Sequence, residues 1–194
     1  MPPSAPPASL VRRLDRLERG RAALLERLAP MSPAELTARP AAGGWNVLDV
    51  VQHVIIVEEL VLRALATRPG PLSLAERVRS GLRLTALRIY LRSGGRVQAP
   101  TPAILPQGRV PLDELRARWE RARAGYATAL ASFGPDDLRR PMMKHPIVGK
   151  LTPVQTLTFL GTHLAHHGRQ IERIWRGQAH GRTGAQAHGR EVGS

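Results

Sequence analysis

Apolar residues recur along most of this chain at the three- and four-residue spacing of an amphipathic helix. Leu10, Leu14, Leu17, Leu24 and Leu28 are separated by Arg and Glu, with Ser9 as a candidate N-cap and Pro30 as a stop. This predicts a first helix over about 10–29. Ser32-Pro33-Ala34-Glu35 has the form of a capping box with proline at the first helical position, and predicts a short turn of helix ending before Pro40. After the loop Ala41-Ala42-Gly43-Gly44, Asn46 caps a second long helix from Val47 to about Ala66, with Asp49 at its third position. That helix is apolar nearly all round, save a strip of Gln52, Glu59 and Arg63, and should be deeply packed.

Arg68-Pro69-Gly70-Pro71 breaks the pattern, and Ser73-Leu74-Ala75-Glu76 opens another box leading into a cationic helix over about 74–92. Ser93-Gly94-Gly95 ends it, and the proline-rich stretch 96–111 reads as an extended crossover. Helical spacing resumes over 112–132, with Leu115, Trp119, Ala122 and Tyr126 on one face. Residues 136–151 read as irregular. Thr152-Pro153-Val154-Gln155 then starts a last helix to about Arg176. No stretch alternates with period two. The expected fold is therefore all-α, a four-helix bundle (about 10–29, 47–67, 112–132 and 153–176) with an additional helix in a long crossover and flexible termini. Its expected limits are a disordered 1–8, a bundle over 9–176, and a low-complexity disordered tail over 177–194, where Gln-Ala-His-Gly-Arg occurs twice.

Composition narrows the chemistry. The 194 residues contain no cysteine, which removes disulfides, thiolate metal sites and a cysteine nucleophile together. Any metal must be held by His, Asp or Glu, and any thiol must come from outside. The 29 basic residues outnumber 15 acidic ones, but only Lys144 and Lys150 are lysines. Such an Arg-, Ala-, Gly- and Pro-rich mixture follows from GC-rich codons, so nucleic acid is an unlikely partner on charge alone. No apolar run approaches the roughly 20 residues of a membrane span, and no secretory signal is visible, which leads to an expectation of a cytoplasmic protein.

The histidines carry the candidate chemistry. In the last helix His163 and His167 lie about 40° apart on the wheel, on the side of Leu160, Leu164, Ile171 and Ile174, whereas His166 falls with Arg169 and Arg173. His53 shares a face with Val50, Val54, Val57 and Leu60 of the second helix. Two or three imidazoles among Leu and Ile need partners for their ring nitrogens, and a divalent metal satisfies one nitrogen of each. His53, His163 and His167 are therefore the expected metal ligands. Asp49, His145 and Gln170 are the candidates for ligand-orienting or substrate contacts. The gluzincin motif is absent, since Leu164 stands where its general base Glu would follow the first His. An open three-His site can make water or a thiol more acidic.

Two blocks carry a family resemblance. Gly44-Trp45-Asn46-Val47 leading to His53 is one; His145-Pro146-Ile147-Val148-Gly149-Lys150-Leu151-Thr152, followed by His163 through His167 and Gln170-Ile171, is the other. In order and spacing they resemble the DinB/YfiT-like superfamily, over about residues 10–176. The resemblance implies a four-helix bundle holding a divalent metal, zinc or nickel, through three histidines, which carry over to His53, His163 and His167. It implies a small-molecule substrate and reactions of two kinds. One is S-transfer or isomerisation using a low-molecular-weight thiol such as bacillithiol, mycothiol or glutathione; the other is hydrolysis. The segment 68–111 departs from the shortest members, so no pocket it lines carries over. Two other classes stand beside this reading: a non-catalytic metal- or ligand-binding bundle, and a nucleic-acid or anionic-surface binder using the stretch Arg77–Arg96. The sequence leaves the oligomeric state open, a homodimer included.

Overall fold

A computed structural model describes residues 5–41, 43–65, 69–95 and 101–191, with side chains as far as Gln178. Residues 1–4, Ala66, Arg68 and Arg96, and the side chains of His180 and His188, lie outside the described residues. The helices are α1 (Ala8–Leu28), α2 (Pro33–Thr37), α3 (Val47–Ala64), α4 (Leu74–Arg92), α5 (Leu112–Ala131) and α6 (Pro153–Glu191). α1, α3, α5 and α6 form the bundle: α6 packs on α1 and α3, and α5 packs on α3 and α1. α4, the additional helix of the crossover, lies against the outside of α6.

Local chemistry explains most of the boundaries. Ser32, Asn46 and Ser73 each accept a hydrogen bond from the backbone N–H three residues on, and the carboxylates of Glu35, Asp49 and Glu76 accept one in turn from the cap residue's N–H. Thr152 and Gln155 make the same exchange at the start of α6. Three boundaries differ from the sequence expectation. α1 begins two residues earlier, at Ala8, with Pro7 ahead of it and no side-chain cap, so Ser9 lies inside the helix. The stretch read as irregular contains a hairpin, β1 (Met143–His145) with β2 (Gly149–Leu151), paired antiparallel with Lys144 opposite Lys150. Three-residue strands are too short to show a period. α6 continues past Arg176 to Glu191. There Gln178 Nε2 donates to the carbonyls of Glu35 and Ala38, tying the added turns to the end of α2.

The apolar interior falls into two clusters. One gathers Leu10, Leu17, Val57, Val61, Tyr126, Leu157 and Leu160 with the inner face of α4. The other gathers Leu24, Leu28, Val50, Val54, Leu115, Trp119, Leu164 and Ile171. Along α3 and α6 the changeover falls close to His53 and His163, so the histidines interrupt an otherwise continuous hydrocarbon interior.

A charged group is also built into this interior. Glu58 is 1% exposed and accepts from Arg123 Nη2 and Trp119 Nε1, each at 2.9 Å, while Tyr126 Oη donates to the Glu58 carbonyl at 2.7 Å. Burial pushes the Glu58 carboxyl up, opposed by Arg123 and the Trp119 N–H. The set locks α5 to α3 in one register. A buried charge that loses its partner is costly. Arg123→Ala should lower stability by about 3–5 kcal/mol, read from the urea midpoint. Adding Glu58→Gln, which keeps an acceptor for Trp119, should recover part of the loss; no recovery would show that packing rather than charge accounts for it.

Candidate metal centre

α3 presents His53 and α6 presents His163 and His167 to a common point. His163 Nε2 lies 3.2 Å from His53 Nε2 and 3.1 Å from His167 Nε2. The rings meet edge to face, with centroids 4.5 Å apart for His163 and His167 and 4.7 Å for His53 and His167. His53 and His167 are buried and His163 is partly so. Among the described residues, these three are the group whose ligand atoms converge closely enough to share an ion.

Hydrogen bonding at the far side of the rings decides what these nitrogens can be. His53 Nδ1 lies 2.7 Å from the carbonyl of Ile104, which can only accept, so Nδ1 carries the proton and Nε2 a lone pair. His167 Nδ1 lies 2.8 Å from Gln170 Oε1, with the same consequence. Nε2 of both rings is therefore an acceptor. His163 can place at most one proton between them, and doing so would satisfy one of its two short contacts at most. Its own Nδ1 is buried with no hydrogen-bond partner. Three converging nitrogens with at most one proton among them are a poor hydrogen-bonded cluster and a good donor set for a cation. At a metal–nitrogen distance of about 2.0–2.1 Å, tetrahedral geometry places such nitrogens about 3.3 Å apart, close to the spacing here.

Electrostatics acts in the same direction. Burial pushes His167 down to about 3, with His53 adding repulsion, and pushes His163 well below the usual imidazole range. His53 is lowered by burial against the opposing pull of the Ile104 carbonyl. All three imidazoles are neutral at pH 7, the state in which they ligate.

The remaining sequence candidates separate. Gln170 touches a ligand histidine. His145 does not: its Nδ1 accepts from the N–H groups of Ile147 and Val148 at 3.2 Å, holding the hairpin turn. Its ring packs edge-on to Phe159 at 4.6 Å, and Phe159 in turn lies 5.6 Å from His163. Asp49 serves the helix N-terminus, accepting from Asn46 N at 3.1 Å with Arg39 at 3.8 Å. It lines a cleft of about 240 Å³ with Arg39, Gln52 and Arg109, in which none of the three histidines takes part. His166 is half-exposed beside His167, as the wheel predicts. The Trp45 ring packs against His53, tilted by 45°, with centroids 4.9 Å apart.

Two contributors have no signal in the sequence pattern. Gln52, expected on an exposed polar strip, is buried and grips the crossover: its Nε2 donates to the Gln107 carbonyl at 3.0 Å and its Oε1 accepts from Gln107 N at 2.9 Å. That clasp holds the loop whose Ile104 carbonyl orients His53. A main-chain carbonyl 51 residues from its histidine leaves no mark on helical periodicity.

Comparison with known proteins agrees with this architecture. TT2238, whose crystal structure is described as that of a four-helix bundle protein, is similar over 84% of this chain and 98% of its own, with 27% identity and a TM-score of 0.54. The uncharacterized protein YuaE of Bacillus subtilis (strain 168) is 22% identical over 147 residues, 76% of this chain and 87% of YuaE. The sequence pattern of the DinB superfamily matches residues 16–171, which takes in all three histidines, the whole of α3 and the first half of α6. On that match, together with the helical bundle around it, the chain belongs to the DinB superfamily.

Proposed function

We propose that this protein is a metal-dependent enzyme acting on a small electrophilic substrate, by hydrolysis or by transfer to a low-molecular-weight thiol. The observation that carries this reading is the meeting of three Nε2 lone pairs whose Nδ1 protons are, in two rings, already committed elsewhere. His53, His163 and His167 would hold a divalent ion, with zinc or nickel what the family resemblance implies. Bound through three neutral imidazoles, such an ion keeps open positions and supplies Lewis acidity toward water or a thiol.

The chain's own residues prepare this chemistry. The Ile104 carbonyl and Gln170 fix the tautomers of His53 and His167 and add to their basicity. Burial in the bundle interior, where Val54, Leu160 and Leu164 are also buried, keeps the donors unprotonated. Phe159 and Trp45 flank the rings. With no cysteine in the chain, a thiol nucleophile must be a diffusible one such as bacillithiol or mycothiol. A non-catalytic metal-binding bundle is the competing outcome: complete loading without turnover on hydrolysis and thiol-transfer substrate panels would select it.

Elemental analysis of untagged protein should find about one metal per chain. His53→Ala, His163→Ala and His167→Ala should each lose most of it, and His166→Ala should keep it; metal retained by the three alanine variants would overturn the assignment. The outer contacts should matter in order of closeness. Gln170→Ala should weaken metal affinity by about 10- to 100-fold, with Gln170→Glu restoring it, and Gln52→Ala should weaken it by about tenfold. Chelator competition measures both.

Acid should act on the metal-free fold as well. The folded chain holds these imidazoles neutral, His167 down to about 3, whereas the unfolded chain takes up protons near 6.5. The unfolded state therefore binds more protons between those values, and stability is lost as pH falls through that window. The Tm of chelator-treated protein should drop steadily below pH 6.5. In His167→Leu the drop should be shallower; an equal slope would place the acid sensitivity elsewhere.

A further inference from the structure

The outer face of α4 is unlike the rest of the surface. Leu74, Val78, Leu82 and Ile89 are 68%, 52%, 69% and 64% exposed. On the helical wheel they fall within about 80° of one another, with Thr85 among them, forming one continuous apolar stripe. The opposite side of the helix is fully used: Ser80, Leu84, Leu87 and Leu91 are buried. α6 holds that side through Gln155, which bonds Ser80 Oγ and the Arg77 carbonyl, and through Arg169, which donates to the Leu91 carbonyl. α4 is thus presented rigidly, with its hydrocarbon outward.

Cations border the stripe on both sides. Arg77 and Arg88 lie along one edge, Arg79 along the other, and Arg92 closes the C-terminal end, while Arg83 turns toward the hairpin at Gly149. The one acid of α4, Glu76, lies at the back, with Lys150 Nζ at 3.7 Å. This distribution selects the occupant. A second copy laid stripe to stripe would bring arginine borders against arginine borders with no carboxylate from either α4 to receive them, and like charges facing each other oppose association. A nucleic acid would meet four aliphatic side chains where phosphates need donors. An anionic bilayer suits both features, because the aliphatic stripe enters the acyl boundary while long arginine stems reach back to the headgroups.

We propose that α4 docks this protein peripherally on an anionic lipid surface, with Leu74, Val78, Leu82 and Ile89 as the inserted face and the flanking arginines as headgroup contacts. The helix lies in the interface without crossing it; no helix among the described residues is long and apolar enough to span a membrane.

Co-sedimentation of the full chain with vesicles at physiological ionic strength tests this, using phosphatidylglycerol–phosphatidylcholine mixtures against pure phosphatidylcholine. The native chain should sediment with the anionic vesicles and not with the neutral ones. Val78→Asn/Leu82→Asn/Ile89→Asn and, separately, Arg79→Gln/Arg88→Gln/Arg92→Gln should each cut partitioning by about tenfold or more. None of these side chains belongs to the three-histidine group, so thermal melts and metal content should match the native chain. Failure of the native chain to sediment with anionic vesicles would overturn the proposal. So would anionic binding that the arginine set abolishes and the asparagine set leaves intact, since that is a general polycation effect. A dimer by light scattering that the asparagine set splits, in a chain that ignores vesicles, would also overturn it and assign the stripe to a second copy.

Discussion

Lone pairs that face each other in a hydrocarbon interior repel, and the rest of this structure makes sense around that conflict. His163 directs its Nε2 at those of His53 and His167 at little more than 3 Å, too close to hold water between them, and all three ligand atoms lie within 4.8 Å of one another. The protons that could relieve the contact are drawn to the opposite ring edges by the Ile104 carbonyl and by Gln170. Burial closes the other escape, which would be to protonate a ring fully. A shared cation resolves all three constraints together.

Holding such an arrangement requires a frame that does not yield. α3 and α6 supply the ligands, so their relative position sets the nitrogen spacing, and each is fixed by more than apolar contact. Glu58 bonds α3 to Arg123, Trp119 and Tyr126 of α5, which stiffens the helix one turn beyond His53. Gln52, one residue before His53, clasps the crossover backbone at Gln107. α6 is held through Gln155 to α4 near its start and through Gln178 to α2 beyond its ligands. A bundle stabilised by hydrocarbon alone could slide by a fraction of an ångström at small cost; hydrogen bonds at fixed positions along α3 and α6 remove that freedom.

The same division of labour explains the crossover. Its helix, α4, turns one face into the core and leaves an aliphatic stripe outside, while the loop after it delivers a single carbonyl to His53. Neither contribution depends on the loop's side chains at the metal centre. The crossover therefore supports the histidine geometry from its backbone and carries an exposed aliphatic stripe on its exterior.

Most helix positions, the caps at Ser32, Asn46, Ser73 and Thr152, and the shared inward face of His53, His163 and His167 were determined by the sequence itself, but not the start of α1, where Ser9 lies inside the helix. Periodicity and capping are local: Asn46 with Asp49 or Ser73 with Glu76 act across three residues, and a wheel assigns each histidine to the same face as its aliphatic neighbours. Pairings across long chain distances were decided only in the folded molecule. Gln52 and Glu58 look alike as polar interruptions of an apolar helix, and nothing local distinguishes a clasp on Gln107 from a buried ion pair with Arg123. The hairpin has no local signature because three residues cannot display a period, and the turn of α6 just past Arg176 is tied down by Gln178 bonding the carbonyls of Glu35 and Ala38, some 140 residues earlier in the chain. Local order follows from neighbouring residues, but the tautomer of each imidazole, and hence what the site can bind, depends on groups that only tertiary packing brings within hydrogen-bond reach.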